Sequence, residues 1–216
     1  MKTNLLILAI ALFSISVSGQ ENSYTSAMKS SLMQMDQATA AEHYLDCANR
    51  FERIASAEKS KWMPYYYASH CLVLMSFEEN NGEKKDKILD RAQDLLDQSK
   101  DLNPNESVKS ELQVLQAFIY PSRIMVDPMG RGGLYLEKMF SSLDTAKAQN
   151  PANPRPYFLE GSYKLNIPAE MGGGAEAARP ILEQALTLYA SFSNADPLWP
   201  TWGEEATRSE LEKSNY

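Results

Sequence analysis

The chain has 216 residues, with Lys+Arg 21 against Asp+Glu 28 and a formal net charge of -7. An acidic balance of this kind offers no basic stripe for phosphates, which excludes nucleic acid as a partner class. The length fits one domain, large enough to bury a core without disulfide staples.

Residues 1–19 read as a secretory signal peptide. Lys2 supplies the positive start, Leu5 to Val17 the apolar run, and Val17-Ser18-Gly19 the small residues before a cut ahead of Gln20. The run is too short to span a bilayer, which takes roughly 20 apolar residues. No Cys lies near the cut, so no lipid anchor is expected there, and no later segment reads as transmembrane. The expected mature chain, 20–216, is periplasmic or secreted.

Four helical hairpins follow. In the first, Tyr24 to Met35 carries Ala27, Met28, Leu32 and Met35 at helical spacing. Thr39-Ala-Ala-Glu42 reads as a capping box for a partner helix with Ala41, Tyr44, Ala48, Phe51 and Ala55 on one face. The second opens near Trp62 and Pro64, turns at Asn80-Asn81-Gly82, and returns through an amphipathic helix from Glu83 to Asp101. The third starts at Asn105, a good N-cap; Pro121 is expected to kink or shorten its first helix. Asp127 to Gly133 reads as the turn, and the return helix runs to Asn150. The fourth begins after Asn153-Pro154-Arg155-Pro156, turns at Met171-Gly172-Gly173-Gly174, and is followed by a short terminal helix through Leu211. Trp199 and Trp202 are expected to cover the exposed end of the last hairpin.

The recurring Pro stops at Asn103-Pro104, Asn150-Pro151 and Asp196-Pro197 predict stacked helical hairpins in an all-α solenoid. Ala48-Asn-Arg-Phe51, Trp62-Met-Pro-Tyr-Tyr-Tyr-Ala68, Pro154-Arg-Pro-Tyr-Phe-Leu-Glu-Gly161 and Trp199-Pro-Thr-Trp-Gly203 resemble an exported tetratricopeptide-like protein of Gram-negative bacteria. The resemblance implies a solenoid that binds other molecules and carries no catalytic residues. The spacing of the stops exceeds the roughly 34 residues of the tetratricopeptide period.

Chemistry is sparse. The Gly-rich segments lack the Lys-Ser/Thr of a phosphate loop and follow no strand, so they read as turns. Only His43 and His70 are present, with no zinc spacing. Cys47 and Cys71 lie on different predicted helices; a single disulfide and two small buried side chains are both open. No enzyme, metal or cofactor is expected. In such hairpins the first helices line the concave surface, and Tyr66, His70, Gln116, Tyr120, Arg123 and Tyr163 are the candidate binding residues there, acting by stacking and hydrogen bonding. The expected function is an exported scaffold holding a protein or peptide partner in the cell envelope. The alternative is a small-molecule-binding accessory component of an envelope transport system.

Overall fold

The computed structural model describes residues 23–214, so the expected signal peptide lies outside the described residues. All regular structure among them is helical. The elements are α1 (23–36), α2 (Ala41–Ala57), α3 (Trp62–Glu78), α4 (Gly82–Asp101), α5 (Glu106–Val126), α6 (Pro128–Gln149), α7 (Arg155–Asn166), a 3-10 turn (Ala169–Met171), α8 (Ala175–Ser191) and α9 (Glu204–Lys213).

Each helix packs against its successor from α2 to α9. The helices α3, α5, α7 and α9 also touch one another in order, forming an inner row, with α4, α6 and α8 outside. Small residues let paired helices approach. Ser69 of α3 donates to the Ala92 carbonyl of α4, and Ser110 of α5 donates to the Ala146 carbonyl of α6, each at 2.8 Å. In the last hairpin Gly161 does the same work, because a Cβ there would sit 2.7 Å from the Leu182 side chain. Two clusters make up the core. One gathers Phe51, Tyr66, Leu72, Leu96 and Leu112; the other gathers Val114, Met139, Leu143, Leu159 and Leu182.

The helix starts follow side-chain chemistry where it is available. Asn81 and Asn105 accept hydrogen bonds from the amides of Lys84 and Val108, which are otherwise orphaned in the first turn. The Thr39 capping box is not made: α2 begins after Ala40 with no side-chain cap.

Three further expectations are corrected. The first helix of the third hairpin runs through Pro121 to Val126. Pro121 forfeits one backbone hydrogen bond, but it is buried, and Ser122 beside it bonds Ser76 of α3 at 2.7 Å, so packing holds the helix together. Second, Gly130 to Gly133 is not a turn. Asp127 alone links the helices, Pro128 opens α6, and the Asp127 carboxylate caps the Gly130 amide at 2.9 Å. The Gly172–Gly174 segment is a turn, with Gly172 and Gly174 at φ 82° and 84°.

The third correction concerns the tail. Trp199 and Trp202 do not simply cover the last hairpin; residues 192–203 cross the inner row back to α3. Tyr67 donates to the Leu198 carbonyl at 2.7 Å, and the Trp202 indole N–H donates to the Tyr66 hydroxyl at 2.8 Å. Trp199 meets Trp62 edge-on at 5.3 Å, and Trp202 stacks on Phe118 at 5.8 Å. Arg155, 1% exposed, fixes this strap from below. It pairs with fully buried Glu111 at 2.8 Å, donates to the Pro200 carbonyl and lies over the rings of Phe192 and Trp202.

Candidate functional site

The six residues read from sequence fall in three places. Tyr66 and His70 face the inner row, but both are buried under the strap. The His70 ring lies 5.0 Å from Trp202 and 5.8 Å from Phe118. Burial, reinforced by the Arg155 charge, pushes the His70 imidazole down to about 3, and burial likewise pushes the Tyr66 phenol up.

Gln116 and Arg123 turn toward α4. Gln116 exchanges hydrogen bonds with Gln93 and accepts one from Lys100; Arg123 is bound to Asp86 and Asp90. Asp86 also holds Arg131 of α6, and that hydrogen bond leads the lowering of its carboxyl. These groups fasten α4, α5 and α6 to one another, with their charges already matched. Tyr120 stacks on Tyr135 of α6 at 5.5 Å. Tyr163 is half-buried on α7 against the second core, where burial raises its phenol. Periodicity placed all six of these residues on inner-row helices, but it did not show what packs opposite them.

A different surface stands open. At 1.5 Å per residue, α6 is about 33 Å long and α7 about 18 Å. They run antiparallel: Lys147 bonds Glu160 and sits 5.4 Å from the Tyr157 ring, while Lys164 sits 5.8 Å from the Phe140 ring. That register ends α7 near the middle of α6. The first turns of α6, with the end of α5, extend past it.

Side chains that elsewhere would meet α7 are therefore uncovered. Met125 ends the α5 stripe that runs Val114, Phe118, Pro121, and it is 53% exposed. Met129 shares an α6 stripe with Gly133, Leu136 and Phe140, and it is 97% exposed. Met171, on the 3-10 turn that follows α7, is 74% exposed.

The two α6 glycines mark the same opening. A Cβ on Gly132 or Gly133 would meet nothing within 4 Å, and neither has a positive φ. Each costs about 0.5–1 kcal/mol against Ala inside a helix. The fold gains nothing in return, since neither steric fit nor backbone conformation demands Gly there. What the pair does provide is bare backbone beside thioethers, a flat apolar floor for something that comes close.

The electrostatics are simple. Lys164, at the edge of this surface, has no carboxylate within 4 Å among the described residues. Nearby Arg131 and Lys147 are both paired. Among the described residues no group of three His, Cys, Asp or Glu is placed to hold a metal ion, and no helix is long and apolar enough to cross a membrane. Such a surface can hold a flat apolar molecule by dispersion and desolvation, with the Lys164 ammonium at its edge for an anionic substituent.

No protein-family model matches the sequence, and no curated protein sequence is similar to it. Among solved structures, the chain is similar to the HusA haemophore from Porphyromonas gingivalis, with a TM-score of 0.79 and 31% sequence identity. The match covers 88% of this chain and 92% of that one.

Proposed function

Because the chain belongs to the family of the HusA haemophore, we propose that it is an exported carrier that takes up haem as cargo on the open end of the third hairpin. The scaffold is a tetratricopeptide-like stack used for a small ligand rather than a protein segment. One observation carries the choice of surface: Gly132 and Gly133 leave bare helical backbone on α6 near the exposed Met125 and Met129, at a cost the fold itself does not require.

Haem is a flat apolar ring with carboxylate-bearing edges, and the chemistry of the surface fits it. Thioethers and glycine backbone meet the ring face, while Lys164 at the edge meets a carboxylate. The inner row suits the ligand less well, since the chain's own strap lies on it and Tyr66, His70 and Phe118 are engaged there.

The test is an absorbance titration with haemin. Gly133→Glu and Met129→Glu put a charge on the proposed contact and are expected to weaken binding at least tenfold. Met33→Glu, on α1, changes a similarly exposed methionine elsewhere and leaves binding intact. Equal affinity in all three variants contradicts the assignment.

A further inference from the structure

The chain contains 2 Cys, Cys47 and Cys71. They lie on the packed helices α2 and α3, and both are free thiols buried in the same core cluster. Their surroundings differ. A surface cavity of about 290 Å³, lined by Gln34, Gln37, His43, Asp46, Cys47 and Arg50, reaches Cys47. Cys71 does not line it and is sealed in the core.

We propose that Cys47 and Cys71 are a redox couple, with Cys47 the attacking thiol and Cys71 the resolving thiol, that closes to a disulfide by exchange with a small-molecule disulfide entering this cavity. In the first step the Cys47 thiolate attacks one sulfur of the incoming disulfide. The S–S bond breaks, and one small thiolate leaves with its electron pair and takes up a proton. In the second step the Cys71 sulfur attacks the Cys47 sulfur of the mixed disulfide. The Cys71 proton leaves with the second small thiol. The protein loses two hydrogens and the small disulfide is reduced to two thiols.

The asymmetry suits these roles. Hydrogen bonding with Cys71 does most to lower the Cys47 thiol to about 7, against burial and with help from Arg50. Burial raises the Cys71 thiol, keeping it protonated until the mixed disulfide forms. A low-pKa reachable thiol beside a resolving one is the arrangement that oxidises reversibly. Oxidation would tie α2 to α3 and close the loop between residues 47 and 71, which constrains the unfolded chain.

The experiment treats the folded protein with oxidised glutathione and reads intact mass and peptide maps. The expected wild-type product is a monomer lighter by two hydrogens with Cys47 joined to Cys71. It should melt several degrees higher than the reduced form. Cys71→Ser should stop at one glutathione on Cys47, and Cys47→Ser should stay unmodified, with circular dichroism showing that both variants fold. If either variant does not fold, the wild-type product alone decides. A wild-type protein that stays reduced, crosslinks between molecules, or carries glutathione on Cys71 overturns the proposal.

Discussion

Replacing Arg155 by Leu tests how the strap is held. Arg155 and Glu111 are essentially inaccessible to water and pair at 2.8 Å. Burial works against the guanidinium charge, but Glu111 and nearby phenols outweigh it, so Arg155 stays charged in the native state. Arg155→Leu removes that partner, leaves the Glu111 carboxylate uncompensated, and frees the Pro200 carbonyl on the strap. Breaking a buried pair from one side costs about 3–5 kcal/mol. For a domain of this size each kcal/mol corresponds to roughly 2–4 °C in Tm, so the melt should fall by about 6–20 °C. The double variant Glu111→Leu with Arg155→Leu removes the stranded charge and should recover at least half of the loss. A second signature is acid rescue. Burial already pushes the Glu111 carboxyl up, and without Arg155 nothing comparable opposes it. A carboxyl raised in the native state is destabilising only where the unfolded chain would ionise it, so the deficit of the single variant should shrink as pH falls from 7 toward 5. Melts by circular dichroism at 222 nm check both. A Tm change within 2 °C, or a deficit constant with pH, refutes the reasoning.

Three other outcomes follow from the same structure. His70 is held neutral down to about pH 3, below its unfolded value of 6.5, so the native state resists a proton that the unfolded chain accepts. Its contribution is fully present above pH 6.5 and is lost as pH falls toward 3, at about 1.4 kcal/mol per pH unit; urea midpoints between pH 7 and 4 should show this slope in the wild type and less of it in His70→Phe. Gly132→Ala and Gly133→Ala should each raise the melt by about 1–3 °C, since the new methyl meets nothing and helix propensity improves. The same substitutions should weaken haemin binding by crowding the floor. Gly161→Ala should do the opposite to stability, costing about 1–3 kcal/mol in a denaturant melt because its Cβ lands on Leu182.

The hairpins were legible because local chemistry specifies them. Asn81 and Asn105 cap where their residue type says they should, and the apolar stripes of α4 and α5 face inward. Pro121 was misread because a local rule lost to tertiary packing around Ser76 and Ser122. Gly130 to Gly133 were misread because glycine signals both turns and close approach. The Pro128 and Asp127 pair, which starts a helix, was the clue that separates the two. The strap was invisible for a different reason. Tyr67 and Leu198 are 131 residues apart, and no periodic pattern encodes an irregular segment laid across an inner row. The open end of the third hairpin depends on one helix being shorter than its neighbour. Pro168, two residues past the end of α7, is consistent with that length, but only the register of α6 against α7 turns it into an exposed surface.

The account turns on where haem sits, and methionine methyl groups report that position directly. With methyl-labelled methionine and zinc protoporphyrin as a diamagnetic stand-in for haem, ring currents shift only methyls close to the macrocycle. The prediction is that Met125, Met129 and Met171 shift strongly while Met33 and buried Met28 do not. Shifts confined to Met33, Met28 or Met63, with the three at the open end unmoved, would contradict it.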